Sequence, residues 1–166
     1  MATGPRYHVQ FRRRRQGKTD YRMRKKMITS GIPRAVVRCT SKNTIVQFIA
    51  FNPKGDEILA AASTMELEEH GWKHATANLP SAYLAGYMAG KRASKEGIDS
   101  AVLDIGLRPP KRGTKVFAAL KGMLDAGIEI AHDEEILPSE DRISGTHINE
   151  EVAKMFQAVS AKIKEA

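Results

Sequence analysis

The chain has 166 residues, 42% of them hydrophobic, and a formal net charge of +8 at pH 7. This length predicts one domain with appended arms, and a domain of this size can bury a sizeable core. No apolar run approaches the roughly 18 residues that a membrane-spanning helix needs, and the N-terminus is too basic for a secretory signal. The single cysteine, Cys39, excludes an internal disulfide and favours a reducing compartment.

The positive charge is concentrated near the beginning of the chain. Residues 1–42 contain 13 Lys or Arg and one acid, whereas residues 43–166 contain 14 Lys or Arg and 18 acids. Such a segment repels itself and favours contact with a polyanion, because neutralised phosphates release counterions. A basic tail without a fixed partner, or a localisation signal, is the alternative. The candidate phosphate-contacting residues in this segment are Arg6, Arg12, Arg13, Arg14, Arg15, Lys18, Arg22, Arg24, Lys25 and Lys26.

Residues 1–17 have little periodicity and are predicted to form an extended arm that becomes ordered against a partner. Tyr7, His8 and Phe11 lie among the arginines and could stack on bases or on the body of the protein. Thr19 is predicted to cap a short basic helix that ends near Gly31. Residues 1–32 are therefore interpreted as a basic, polyanion-binding arm that includes one short helix.

Three strands with short turns are predicted after the arm. Residues 35–40 and 44–51 have the composition of strands, and residues 57–63 form a third strand that is weakened by its alanines. The short turns between them predict an antiparallel meander. Cys39 lies in an apolar run and is predicted to be a core residue rather than a nucleophile. The first hairpin supplies four further candidate contacts to the polyanion, which are Arg34, Arg38, Lys42 and Asn43.

The segment 64–79 is predicted to form a short helix with a loop. His70 and His74 are four residues apart, as metal-binding histidines on a helix can be. Gly71 lies between them, and the glutamate of a His-Glu-x-x-His motif is missing. A solvated loop is therefore favoured, and no metal site is predicted.

A helix is predicted from Pro80 to about Glu96, and its many alanines and glycines favour a close approach to a sheet. A buried parallel strand is predicted over residues 98–107. Asp104 in that strand has two interpretations: a catalytic carboxylate, or a residue held by backbone donors or by a nearby cation. Since no second acid follows at a fixed spacing, the second interpretation is favoured.

Residues 108–115 form a rigid basic loop that opens a helix, with Thr114 as the predicted cap. The cations of this loop meet the N-terminus of the helix, where free N–H groups and the helix dipole favour anions. The loop is therefore predicted to be a second phosphate-binding region. Its candidate residues are Arg108, Lys111, Arg112 and Lys115.

The remainder of the chain is predicted to contain a short strand over residues 128–130, a connector and a final helix. Asn149 is the predicted cap of this helix. Its apolar stripe favours docking on the core, with docking on a protein partner as the alternative. Residues 132–166 are interpreted as the connector and C-terminal helix, and residues 33–131 as the body.

The predicted fold class is α/β, with a three-stranded antiparallel meander followed by α-β-α-β units. This arrangement of a mixed sheet with helices resembles that of ribonuclease H-like proteins. Nucleases of that kind place a carboxylate on the first strand to hold a metal. Here residues 34–40 contain no acid, so nuclease activity is disfavoured and neither a catalytic residue nor a cofactor is predicted.

Several blocks of the chain, taken in order, resemble one known family. The chain is similar over essentially its whole length to the archaeal form of the large-subunit ribosomal protein L-eighteen family, whose eukaryotic member is called L-five. The loop of the bacterial form, with its Gly-Gly and Tyr-His-Gly sequences, is replaced by the basic loop at residues 108–113. The blocks that carry the resemblance are residues 4–21, 33–38, 43–47, 78–86, 103–107 and 138–145.

The resemblance implies a structural protein rather than an enzyme. Members of this family bind 5S rRNA and help to attach it to the larger, 23S-type rRNA at the central protuberance, beside neighbouring ribosomal proteins. A cytoplasmic, ribosome-bound location is therefore expected, with no membrane partner. Contacts of the bacterial loop are not carried over, and the absence of the long eukaryotic C-terminal extension means that its partners are not implied.

Overall fold

The computed structural model describes residues 4–165 of the chain. Helices and strands are numbered separately, in chain order. The strands are β1 (Arg34–Cys39), β2 (Thr44–Ala50), β3 (Glu57–Ser63) and β4 (Val102–Asp104). The α-helices are α1 (Arg12–Arg15), α2 (Tyr21–Thr29), α3 (Leu79–Lys95), α4 (Lys115–Asp125), α5 (Glu140–Ser144) and α6 (Glu150–Glu165), and short 3₁₀ helices cover Glu66–Glu68 and Glu134–Ile136.

The four strands form one mixed sheet in the order β3-β2-β1-β4. β1 pairs antiparallel with β2, so that Val37 lies opposite Val46, and β2 pairs antiparallel with β3. β4 pairs parallel with β1, with Ala35 beside Leu103. The predicted meander, the parallel fourth strand and the α/β fold class are thereby confirmed.

Two predicted strands differ in the structure. The fourth strand covers only Val102–Asp104, not residues 98–107. The strand predicted over residues 128–130 is wrong, because Glu129 makes only an isolated parallel bridge to Ser100. The prediction rested on the apolar residues Ile128 and Ile130. Both are buried in the core, and a buried apolar residue does not have to belong to a hydrogen-bonded strand.

One face of the sheet and the helices α3 and α4 enclose the core. Alternate residues of β1, among them Ala35, Val37 and Cys39, are buried there. This burial confirms that Cys39 is a core residue. Phe48 on β2 and Trp72 in the segment after β3 are the largest apolar side chains of this core that are almost fully buried.

α3 packs on β2 and β3, as its small residues predicted, and its glycines also serve a contact that was not predicted. A Cβ atom added at Gly86 would lie 2.1 Å from the carbonyl oxygen of Ala119, and one added at Gly122 would lie 2.2 Å from that of Tyr83. These distances are far below van der Waals contact, so the two glycines allow α3 and α4 to touch through their backbones.

The C-terminal helix α6 packs on the same core. Val152, Val159 and Ile163 are almost fully buried and belong to the main apolar cluster. The Oδ1 atom of Asn149 accepts a hydrogen bond of 3.3 Å from the N–H group of Glu151, which confirms the predicted cap. Docking of this helix on the core, rather than only on a partner, is thereby confirmed.

The segment 64–79 contains the predicted short helix, at Glu66–Glu68. It is not a solvated loop, because Leu67 and Trp72 are buried in the core. Within residues 4–165, no cluster of three or more His, Cys, Asp or Glu side chains could hold a metal ion. None of the helices described there is long and apolar enough to cross a membrane.

Two details of the arm differ from the prediction. The cap of α2 is Asp20 rather than Thr19, and its side chain accepts hydrogen bonds from the N–H groups of Arg22 and Met23. The four consecutive arginines form one turn of helix, α1, where an extended chain was predicted. Arginine has a high helix propensity, and the ring of Phe11 lies 4.9 Å from that of Tyr21 on α2, which holds this turn beside the next helix.

Candidate nucleic-acid interface

The arm presents most of its predicted RNA-binding residues to solvent. Every residue of α1 is exposed, and its first turn contains no acidic residue. The Nε atom of Arg13 donates a hydrogen bond of 2.9 Å to the hydroxyl of Thr19. The other exposed cations of the arm are Arg6, Arg12, Arg14, Arg15, Lys18, Arg22, Lys25 and Lys26.

Arg24 has a different environment, because it joins the arm to the body. Its Nη2 atom lies 2.8 Å from both carboxylate oxygens of Asp56, in the turn between β2 and β3. The side chains of Arg24 and Asp56 are 33% and 22% exposed, so the pair is partly shielded from water. This ion pair fixes one face of α2 against the sheet.

Arg34, a predicted RNA contact, is buried inside the protein. The residue is 3% exposed. Its Nη2 atom donates to Asp56 at 2.7 Å, and its Nη1 atom donates to Asp104 at 3.0 Å. A guanidinium enclosed in this way cannot reach a phosphate on the surface, so the structure corrects the prediction and gives Arg34 an internal, linking position.

Asp104 is held by three partners, as the favoured interpretation of this residue expected. It accepts hydrogen bonds from Arg34, from Arg38 at 3.1 Å and from the N–H group of Gly106 at 2.8 Å. Arg38 also donates to the carbonyl oxygen of Asp104 at 2.9 Å, yet 44% of its side chain remains exposed. A carboxylate with both oxygens engaged by arginines is unsuited to bind a divalent metal, whereas Arg38 stays accessible to an anion.

The two predicted RNA contacts in the turn between β1 and β2 have different environments. Lys42 is exposed. Asn43 is half-buried, and its side-chain oxygen accepts a hydrogen bond of 2.9 Å from the hydroxyl of Thr76. Asn43 therefore stabilises the turn against the following segment, and Lys42 is the member of the pair that faces solvent.

A cleft of about 420 Å³ lies beside the basic loop at residues 108–115. Its floor is apolar and includes Cys39, Leu79 and Val116. No carboxylate lines the cleft among the residues that the structure describes. Its rim carries four cations, Arg108, Lys111, Lys115 and Arg142.

The start of α4 also borders this cleft. Thr114 occupies the capping position, as predicted, but its side chain makes no capping hydrogen bond. The free N–H groups of the first helical turn are therefore not satisfied by that side chain. A guanidinium nitrogen of Arg108 donates to the carbonyl oxygen of Cys39, which ties the loop to the end of β1.

The structure differs from the sequence-based prediction at two residues near the cleft. Arg112 belongs to the loop but does not line the cleft, and its guanidinium forms an ion pair of 2.7 Å with Glu135. Arg142 lines the cleft from α5 and was not predicted. Its neighbours in sequence include Glu140 and Asp141, so the local charge did not indicate that Arg142 belongs to a basic site.

These features define a class of protein: a small α/β protein whose basic arm and basic cleft suit a polyanionic partner. Comparison with known proteins then identifies the family. Residues 5–101 and 93–133 match the model of the family described as ribosomal large subunit proteins 60S L5, and 50S L18.

Curated relatives agree with this match. The chain is 57% identical over 150 residues to the large ribosomal subunit protein uL18 of Methanothermobacter thermautotrophicus, an alignment that covers 90% of this chain and 78% of the relative. It is 55% identical over 148 residues to the uL18 protein of Korarchaeum cryptofilum, covering 89% and 76% of the two chains. It is 51% identical over 170 residues to that of Methanoregula boonei, covering 99% and 98%.

The chain therefore belongs to the family of large-subunit ribosomal proteins that contains the archaeal uL18 proteins. Membership makes it a structural, ribosome-bound cytoplasmic protein whose partners are ribosomal RNA and ribosomal proteins, and not an enzyme. The nuclease alternative is accordingly dropped, in agreement with the engaged carboxylate of Asp104.

Proposed function

We propose that this chain binds 5S rRNA in the large ribosomal subunit and helps to attach it to the larger rRNA at the central protuberance. The observation that carries the proposal is that the arm and the cleft meet at one end of β1. Arg38 borders the arm, and the next residue, Cys39, borders the cleft. Successive residues of a strand point to opposite faces of the sheet, so the two basic regions flank this end of β1. Together they form a basic surface in two parts, which suits contact with separate segments of an RNA rather than with a single small anion.

The chemistry of this surface favours contacts to phosphates over the reading of bases. Its donors are arginines and lysines, and arginine can grip a phosphate with two parallel hydrogen bonds. Aromatic residues make up only 6% of the chain, which gives few platforms for base stacking. Recognition then rests on the shape and backbone of a structured RNA, as is common for double-stranded RNA.

The three parts of the chain have different roles in this proposal. Residues 1–32 act as the arm that supplies general affinity for rRNA, and residues 33–131 act as the body that carries the preference for 5S rRNA. Residues 132–166 complete the core through α6 and complete the cleft through Arg142. The exposed cations Arg38 and Lys42 contribute from the body.

The proposal predicts a preference that charge alone does not provide. In competition at several salt concentrations, 5S rRNA is expected to displace an unrelated structured RNA of similar length, with a specificity ratio of orders of magnitude. Fluorescence anisotropy of labelled 5S rRNA with each competitor measures this ratio. If both RNAs compete equally at every salt concentration, the protein is a general RNA binder and the proposal is wrong.

A second prediction concerns the cleft. Changing Lys111, Lys115 and Arg142 together to glutamine is expected to weaken binding of 5S rRNA and to flatten the dependence of log K on log salt by about 0.7–0.9 for each phosphate that is no longer neutralised. The control is Arg112→Gln, which removes one positive charge from the same loop but from a residue paired with Glu135 outside the cleft, and the change in slope is compared for each charge removed. A salt dependence that is unchanged in the triple variant would remove the cleft from the interface.

A further inference from the structure

A small gap of about 90 Å³ separates the arm from the body. The arm contributes Arg13, Lys18 and Arg24 to its lining, and the sheet contributes Arg34 and Arg38. Two acids, Asp20 and Asp104, also line it. Arg24 and Arg34 also pair with Asp56, so the five cations and three acids leave an excess of two positive charges at the gap.

Both acids of the gap have hydrogen-bond partners, Asp104 through both carboxylate oxygens and Asp20 through its Oδ1 atom alone. Asp104 accepts from Arg34, Arg38 and the N–H group of Gly106. Asp20 caps α2 through the N–H groups of Arg22 and Met23. Neither carboxylate therefore forms an ion pair with the cations that the arm brings to the gap.

Donors, by contrast, remain unused around the gap. Arg13 uses its Nε atom for Thr19 and keeps both terminal nitrogens free of any hydrogen bond within residues 4–165. The ammonium group of Lys18 likewise has no ion pair in the described part of the chain.

The gap is large enough to admit a small ligand. Its volume of about 90 Å³ is several times the roughly 10–15 Å³ that a single water needs on the same measure, so a tetrahedral oxyanion can enter. Charge and free donors together point to a phosphate group.

We propose that this gap binds one phosphate group and thereby locks the arm onto the body. The ligand would contact Arg13 and Lys18 from the arm and Arg38 from β1, so its charge would offset the repulsion between these elements. A phosphate of the RNA backbone and free inorganic phosphate share this chemistry. That the source is RNA rests on the proposed function, whereas the binding of a phosphate group does not.

Inorganic phosphate is the probe for the first test, with the full chain and with chloride at equal ionic strength as the reference. The amide signals of Gly106 and Thr19, which adjoin the gap, are expected to shift with phosphate concentration and to saturate. Arg13→Gln or Lys18→Gln is expected to weaken this binding about tenfold, the effect typical of removing one charge-assisted hydrogen bond. Equal responses to phosphate and chloride would overturn the proposal.

The arm offers matched controls for these variants. Arg12→Gln and Arg15→Gln remove the same charge from the same helical turn, but neither residue lines the gap. They are expected to leave phosphate binding unchanged. If they weaken it as much as Arg13→Gln does, the arm attracts phosphate only through its overall charge, and the specific site is refuted.

The source of the phosphate is settled by repeating the titration in the presence of saturating 5S rRNA. If a backbone phosphate occupies the gap, inorganic phosphate no longer shifts the signal of Gly106. If the shift persists, the gap is a site for a free anion, and its assignment to RNA is wrong. This result is separate from the competition between RNAs, which tests 5S recognition whether or not the gap is filled.

Discussion

Replacing Asp104 by alanine is expected to lower the free energy of unfolding by about 3–5 kcal/mol, the usual cost of leaving a buried charge without its partner. Asp104 is 6% exposed and Arg34 is 3% exposed, so water cannot replace the missing carboxylate. Arg34 would keep only its contact to Asp56. Urea denaturation followed by circular dichroism measures the change, since the midpoint and slope yield the free energy.

Two further variants make this test specific. Glu135→Gln breaks the exposed ion pair with Arg112 and is expected to cost at most about 1 kcal/mol. Removing both buried partners, as in Arg34→Met with Asp104→Leu, is expected to recover part of the stability because no unpaired charge stays buried. If Asp104→Ala costs no more than Glu135→Gln, the network between α2, β1 and β4 does not stabilise the fold.

Changing all four arginines of α1 to alanine is expected to give the largest decrease in RNA affinity. Each phosphate that is no longer neutralised should flatten the dependence of log K on log salt by about 0.7–0.9, or by about 3 for four phosphates. The decrease should extend to unrelated RNAs, because phosphates carry no sequence information. Stability should change by less than about 0.5 kcal/mol for each substitution, since these side chains are exposed.

The control for this variant must have the same net charge. Lys54, Lys73, Lys154 and Lys164 are exposed and lie outside the arm and the cleft, so their replacement by alanine removes four charges elsewhere. Filter binding across a range of salt concentrations compares the two variants. An equal flattening of the slope in both would show that RNA senses the total charge and that the arm has no special position.

Local sequence was enough to predict most of the elements. The meander, the parallel strand and the helix from Pro80 follow from turn residues, side-chain alternation and capping patterns, which act within a few residues. The basic arm was equally visible, because its cations are consecutive or nearly so. Matches in order along the chain also identified the family before any contact was known.

Two predictions of secondary structure failed because an apolar run or a basic run is compatible with more than one conformation. Residues 128–130 are apolar because they are buried, and they make one bridge instead of a strand. Arg12–Arg15 form a helical turn, although repulsion between like charges favours an extended chain in isolation. Burial in the core explains the first case, whereas the helix propensity of arginine and the contact between Phe11 and Tyr21 explain the second.

The composition of the chain thus determined that a basic arm and a basic loop exist, since charge and turn preferences are properties of neighbouring residues. Contacts between residues distant in sequence decided which of the basic residues face solvent and which are paired inside the protein. Arg34 and Asp104 are 70 residues apart in sequence, and their pairing withdrew Arg34 from the surface. Arg142 joined the cleft although its sequence neighbours are acidic. Burial and pairing depend on which surfaces come together, and no local pattern records that.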